Sequence, residues 1–353
     1  MRKNNFTTKK IVAMLTVVTI FFLIGCEADP RVTYFNLRRV DDDALGILRE
    51  MEASDMDFWL GTSFGVSALD LELAPDENYY GVIELVDHAD YLVAQVENIA
   101  SEDFHFVLKM FINYEEVAFR VKGEEDYATE FVFLLESGYE VDIPFTLQLD
   151  LSDVDVTYKL TAGIFADPDR EVMNEENLDH FWRSGGMVLN NDLILGSRSD
   201  LDFERTSNVT ILSREEDTSF FAFFVAPEFR RTDYGFLAHP EFTMQARRGE
   251  EIELLFYASP FASFDYDLED YIIIGMLNWQ QIPLNGDPFL FIDVGATEFE
   301  NILDHGRFVL EGIDEVGYYD FVLFLVPHPA YRNSLNNSFP LQLSNRMIIE
   351  IVE

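Results

Sequence analysis

The chain is 353 residues long, with 65 acidic residues against 24 lysines and arginines and a net charge of −41 at neutral pH. A field that negative repels nucleic acid, anionic headgroups and phosphate-rich polymers, which excludes nucleic acid as a principal partner and leaves cationic ligands and basic protein patches permitted. Cys26 is the only cysteine, so disulfides, thiolate metal sites and cysteine nucleophiles are excluded from the folded part of the chain.

Arg2, Lys3, Lys9 and Lys10 precede an apolar run, Ile11 to Ile24, that is too short to span a bilayer as a stable helix. The run closes on Leu23-Ile24-Gly25-Cys26, which resembles the lipobox of bacterial lipoprotein signal peptides. The resemblance implies cleavage before Cys26 and a thioether-linked diacylglycerol on its sulfur. The protein is then held by lipid on the outer side of the cytoplasmic membrane, or in the periplasm or at the outer membrane of a Gram-negative cell. Residues 1–25 carry four of the 24 basic residues and none of the 65 acidic ones, so the chain from Cys26 onward has a net charge of −45. Beyond Cys26 only Lys109, Lys122 and Lys159 remain, against 17 arginines. Arginine keeps its charge well above the pH at which lysine loses it, a balance suited to an exported domain in an alkaline medium.

Residues 26–57 read as the acylated cysteine followed by a flexible acidic tether, marked by Pro30 and Asp41-Asp42-Asp43. A short helix from Asp43 to Met51 is the alternative, because Leu45, Leu48 and Met51 are spaced at helical intervals. From Phe58 onward the pattern is strand-like. Phe104 to Asn113, Glu130 to Leu135 and Ile143 to Leu151 are aromatic and β-branched runs separated by Gly, Asn, Asp and Pro. Glu251 to Tyr257, Tyr271 to Leu277, Pro288 to Ile292 and Asp320 to Val326 repeat the idea.

The halves also align. Phe111-Ile-Asn-Tyr-Glu-Glu-Val117 matches Met276-Leu-Asn-Trp-Gln-Gln-Ile282 at an offset of 165, and Val156 to Pro168 can be laid on Gly317 to Pro329 at an offset of 161. The last short strands of each half, Asp192 to Leu195 and Met347 to Ile351, follow a polar loop. The fold expected is all-β, with two tandem antiparallel immunoglobulin-like β-sandwich domains over 58–198 and 199–353. Asn113 and Asn278 are expected at tight turns ending an apolar strand, with Tyr114 and Trp279 covering an edge of the core.

Gly61-Thr-Ser63-Phe-Gly65 fits G-x-S-x-G, the nucleophile-elbow pattern, but no helix pattern follows Ser63, and Val66 to Leu73 reads as a strand. None of the six histidines, at 88, 105, 180, 239, 305 and 328, lies at metal-ligand spacing to another. Asp265, Asp267, Glu269 and Asp270 place carboxylates close together, as do Asp150, Asp153 and Asp155, and Ca²⁺ takes six to eight such oxygens. Neither stretch has the spacing of an EF-hand loop, and solvated carboxylates are the simpler reading in so acidic a chain, so no cofactor is required. Trp59, Trp182 and Trp279 are read first as plugs at the ends of a sandwich core and second as candidate ligand-contact aromatics, since tryptophan platforms bind sugar rings and anchor interfaces. The function expected is a non-enzymatic, membrane-anchored binding or display module for an extracellular protein, peptide or glycan. The alternatives are an envelope hydrolase using carboxylates or Ser63, and a structural spacer or assembly subunit.

Overall fold

The computed structural model describes residues 38–39, 47–50, 62–68, 82–85, 91–98, 103–149, 156–166, 186–195, 207–216, 223–228, 243–258, 270–293, 302–327, 338–340 and 342–353. Among them the only regular secondary structure is the β-strand. The first twelve are β1 (Arg38–Arg39), β2 (Ile47–Glu50), β3 (Thr62–Ala68), β4 (Val82–Leu85), β5 (Leu92–Asn98), β6 (Phe104–Ile112), β7 (Glu115–Glu116), β8 (Phe119–Val121), β9 (Phe131–Leu135), β10 (Tyr139–Leu147), β11 (Val156–Ala166) and β12 (Gly186–Leu195). The second twelve are β13 (Thr210–Glu216), β14 (Phe223–Ala226), β15 (Thr243–Arg247), β16 (Ile252–Ala258), β17 (Asp270–Leu277), β18 (Gln280–Ile282), β19 (Leu290–Asp293), β20 (Ile302–Leu310), β21 (Gly317–Pro327), β22 (Ser338–Pro340), β23 (Gln342–Leu343) and β24 (Met347–Val352).

The two series repeat one topology. In the first, β2-β10-β5-β3 form one sheet, and in the second β13-β20-β16-β14 form its counterpart. The facing sheets correspond as well: β9-β6-β11-β12 with β4 parallel to β12, against β19-β17-β21-β24 with β15 parallel to β24. Even the register is shared. Ile112 sits opposite Leu160 as Leu277 sits opposite Phe321, which reproduces the offsets of 165 and 161 seen in the sequence. Each pair of sheets closes on its own apolar core, one drawn from residues between Ile83 and Leu193, the other from residues between Phe223 and Ile351.

The first repeat begins earlier than the sequence reading placed it. β2, inside the segment read as a tether, pairs antiparallel with β10 and occupies the position that β13 occupies on β20. β1 adds to β9 in parallel. The helical spacing of Leu45, Leu48 and Met51 is outweighed because one turn of helix is not stable alone, whereas β10 offers a ladder of backbone donors and acceptors. Pairing also sets Arg49 opposite Glu140. The repeats are joined by a strand as well, since β22 of the second half pairs with Met187–Leu189 of β12 in the first.

The central strands are buried on both faces. β17 is buried from Asp270 to Met276, and β6 at all but its second and last residues. Phe106, Leu108 and Met110 of β6 point into the first core, while Val107 and Phe111, on its other face, are equally buried. In the second repeat Ile272, Ile274, Met276, Val322, Phe324 and Val326 form the matching face. These faces meet: Phe111 lies 5.3 Å from Phe324, ring centre to ring centre, and Phe165 lies 5.9 Å from the same ring. The result is four stacked sheets with three apolar layers between them. Strands buried on both sides read as unbroken apolar runs, which is the character of Tyr271-Ile-Ile-Ile-Gly-Met-Leu277.

Candidate functional site

The seam between the repeats is built from the two matching hairpins. Asn113 and Tyr114 have φ of 51° and 69°, and Asn278 and Trp279 have 47° and 62°. Two consecutive residues of positive φ in a two-residue loop are the type I′ arrangement, in which the second position ordinarily falls to glycine. Each asparagine clamps the neighbouring strand in the same way. Asn113 N donates to Lys159 O at 2.8 Å and Asn113 Oδ1 accepts from Lys159 N at 2.9 Å; Asn278 does so with Asp320 at 2.7 and 2.9 Å. The aromatics reach across the seam, Tyr114 to Phe289 (5.5 Å) and Trp279 to Phe165 (5.3 Å). A bulky residue in the left-handed region costs about 1–2 kcal/mol. Burying an aromatic ring contributes about 4–6 kcal/mol from its area, so burial wins.

Beside the turns lies a polar network. Glu116 N donates to Gln281 Oε1 at 2.6 Å, and Gln281 N donates to Glu116 Oε2 at 3.4 Å. Glu116 and Gln281 are equivalent positions in the two repeats, so the contact is reciprocal, as at the axis of a two-fold dimer. Gln281 Nε2 donates further to the carbonyls of Tyr114 and Pro288, both at 2.9 Å. On the other side the buried Lys109 Nζ reaches Glu116 Oε1 at 2.6 Å and Glu130 Oε2 at 3.4 Å. At the far edge of the seam, Arg346 Nη2 donates to Asp320 Oδ2, and its guanidinium lies 5.3 Å from the centre of the Trp279 ring.

A second ionic cluster sits within the second sandwich. Asp304 on β20 is fully buried and accepts two hydrogen bonds from Arg214, at 2.6 Å from Nε and 2.9 Å from Nη2. Tyr271, reaching across the core from β17, donates its hydroxyl to Asp304 Oδ2 at 2.8 Å. The hydrogen bond to Asp304 holds the Arg214 pKa above its ordinary value. Desolvation, aided by the Asp304 charge, holds that of Tyr271 well above its usual range. Next along the strand, His305 stacks on Tyr257 at 4.3 Å, and burial pushes its pKa below the ordinary imidazole value, with Glu215 acting in the opposite sense. A tyrosine that keeps its proton and a carboxylate gripped by a guanidinium brace the two sheets of the core.

The structure locates part of the sequence-derived set. Trp279 is only 5% exposed and is packed within the seam, so it is not placed to meet an outside ligand. Asp270 begins β17, buried, with Asp293 opposite it in register. Asp265, Asp267 and Glu269, Asp150, Asp153 and Asp155, Trp59, Trp182 and Cys26 all lie outside the described residues. Among the described residues no group of three or more His, Asp or Glu side chains is placed to hold a metal ion. Ser63 lies in β3, opposite Glu97 in an antiparallel pair, rather than at the strand-to-helix turn an elbow requires. Lys109, Asp304 and the Glu116–Gln281 contact were not singled out from sequence. Lys109 carried a signal, since a lone charge in Phe-Val-Leu-Lys-Met-Phe needs a buried partner.

No family model and no curated protein sequence matches the chain. Similar solved structures include the C-terminal domain of the Streptococcus agalactiae AgI/II polypeptide BspA, at 9% identity over 82% of this chain and 99% of that one, with a TM-score of 0.23. The C-terminal domain of the Streptococcus pyogenes antigen I/II-family protein AspA is 9% identical over 82% and 99%, with a TM-score of 0.24. Red sea bream transglutaminase is 8% identical over 84% of this chain and 32% of its own, with a TM-score of 0.22. At such scores none of these likenesses bears on what the chain does.

Proposed function

We propose that this protein is a lipid-anchored surface module that binds or displays without catalysing. The observation that carries the reading is the lipobox Leu23-Ile24-Gly25-Cys26 ahead of a body made of stacked sheets. The use of the buried ionisable groups supports it: Asp304, Arg214 and Tyr271 tie two sheets together, and Lys109, Glu116 and Gln281 tie two repeats together. The charge of −45 beyond Cys26 favours a neutral or basic partner over nucleic acid or an anionic polymer.

The test is metabolic labelling with radioactive palmitate in a bacterial host, with Cys26→Ala alongside. Wild type is expected to carry label and to sediment with membranes, and the variant to carry none. An unlabelled wild type in the cytosolic fraction would overturn the reading. A serine-reactive activity probe is expected to leave the protein unmodified, and labelling abolished by Ser63→Ala would move the function to hydrolysis.

A further inference from the structure

Asn-Gly, the dipeptide at which an asparagine most readily loses its side-chain amide, occurs once in the chain, at Asn285-Gly286. With no side chain on the following residue, the Gly286 nitrogen can close on the Asn285 amide carbon. The pair forms a tight turn between β18 and β19, with Leu284 opposite Asp287 and φ of 54° and 81°, the type I′ arrangement. Both residues are exposed, and nothing lies within 4 Å of where a Cβ on Gly286 would stand. The fold nevertheless holds the asparagine amide at both ends. Asn285 Oδ1 accepts from Val309 N at 2.8 Å, and Asn285 Nδ2 donates to Asn208 O at 2.8 Å. Asn285 N donates to Val309 O at 2.9 Å. Asn208 is latched to the far side of the same turn. Its Nδ2 donates to Asp287 Oδ2 at 2.8 Å and to Phe289 O at 2.9 Å, and its Oδ1 accepts from Phe291 N at 2.9 Å.

The first repeat shows why so labile a residue stands there. Leu284 bridges Leu310 as Val121 pairs with Phe145, so Lys122-Gly123 is the equivalent turn. Lys122 N donates to Pro144 O at 2.8 Å, as Asn285 N does to Val309 O. Proline has no N–H, so the first repeat needs no acceptor from its turn and a lysine serves. Val309 has an N–H to satisfy, and asparagine both tolerates positive φ and supplies the acceptor.

We propose that Asn285-Gly286 is a site of spontaneous deamidation, held latent by the bonds to Val309 and Asn208 and released when this turn opens. The Gly286 amide, having given its proton to hydroxide, attacks Asn285 Cγ. The N–Cγ bond forms, the Cγ–Nδ2 bond breaks, and the nitrogen leaves as ammonia with a proton from water. A second water then opens the succinimide at either carbonyl, giving aspartate or isoaspartate at 285. Oδ1 and Nδ2 are held by different segments, so the amide carbon cannot swing onto the Gly286 nitrogen until those bonds break. The product does not restore the lock. Aspartate sets a carboxylate against Asn208 O, and isoaspartate lengthens the main chain within the turn. Asn208 lies just before β13, which carries Arg214, so the modification loosens the edge strand from which Arg214 reaches Asp304.

Peptide mapping by mass spectrometry, on the lipidated protein in detergent held in mildly alkaline buffer, tests the proposal. Folded wild type is expected to convert Asn285 about tenfold or more slowly than the same protein in guanidinium, because three bonds must open first. Asn208→Ala is expected to recover much of that difference in the folded state, with circular dichroism verifying the fold. Denaturant below the unfolding transition of wild type gives the same reading without a substitution. A conversion rate that climbs there supports release by local opening, and one that stays flat until global unfolding contradicts it. Asn285→Asp, the product made directly, is expected to melt below wild type, and an unchanged melting temperature would contradict the loss of the lock. Equal rates in folded and unfolded protein, a folded-state rate unmoved by Asn208→Ala, or no conversion of Asn285 in the unfolded chain would overturn the inference.

Discussion

Trp279 offers a direct test of the seam, because two opposed terms act on one residue. Its φ of 62° is strained for any side chain, while its ring is 5% exposed, packed 5.3 Å from Phe165 and lying under Arg346. Removing the ring in Trp279→Ala is expected to cost about 3–5 kcal/mol, with the left-handed strain kept by the remaining Cβ. Trp279→Gly removes the same ring but also relieves about 1–2 kcal/mol of strain, against about 0.5–1 kcal/mol of extra backbone entropy in the unfolded chain. The glycine variant is therefore expected to equal the alanine variant or exceed it by up to about 1.5 kcal/mol, the reverse of the order at an ordinary strand position. Equilibrium guanidinium denaturation of the two variants measures the difference. A glycine variant less stable than the alanine one by the usual margin would refute both the turn assignment and the account of how the repeats join.

Asp304→Ala leaves Arg214 and the buried Tyr271 hydroxyl without their shared acceptor and is expected to cost about 3–5 kcal/mol, whereas Tyr271→Phe is expected to cost about 1.5–3 kcal/mol; a double-mutant cycle by chemical denaturation reads the coupling. Because the Tyr271 pKa is raised in the folded state, the unfolded chain gives up that proton first, so the advantage of wild type over Tyr271→Phe is expected to hold below about pH 10 and to shrink above it. His305 has the opposite dependence: its pKa is lowered on folding, so its contribution is lost as pH falls below about 6.5, and His305→Gln is expected to flatten the acid limb of melting temperature against pH. Gln281→Glu replaces the amide that donates to two carbonyls with an acceptor beside Glu116 and is expected to destabilise most near neutral pH, with partial recovery in acid as the introduced carboxylate protonates.

The strands were legible wherever apolar and aromatic residues ran between turn formers, as at Phe104 to Ile112 and Tyr271 to Leu277. The repeat was legible because the Asn-aromatic hairpin has one solution: asparagine accepts positive φ and bonds the next strand, so the same residues recur in the same place. What the strand pattern did not reveal was the partner of the second apolar face. Ile272 and Ile274 announce a strand buried on both sides, yet nothing local says that the cover is Phe111 and Phe165 of the other repeat. β2 was missed because four residues beside an acidic run carry no period of their own, and only the edge of β10 makes them a strand. Trp279 was expected to cover an edge of the core and was also a candidate platform, because tryptophan chemistry is the same in both roles; that its cover is Phe165, 114 residues away in the other repeat, is not written near it in the sequence. Asp304 was one carboxylate among 65, and only the fold shows it lying under Tyr271.

The claim on which the account turns is that the two sandwiches form one body through a shared apolar layer. Hydrogen exchange followed by mass spectrometry over β6, β11, β17 and β21 addresses it most directly. Peptides from these four strands are predicted to be the slowest to exchange and to open together as denaturant is raised. Exchange of β6 and β11 in one step and of β17 and β21 in another, at separate denaturant concentrations, would contradict it.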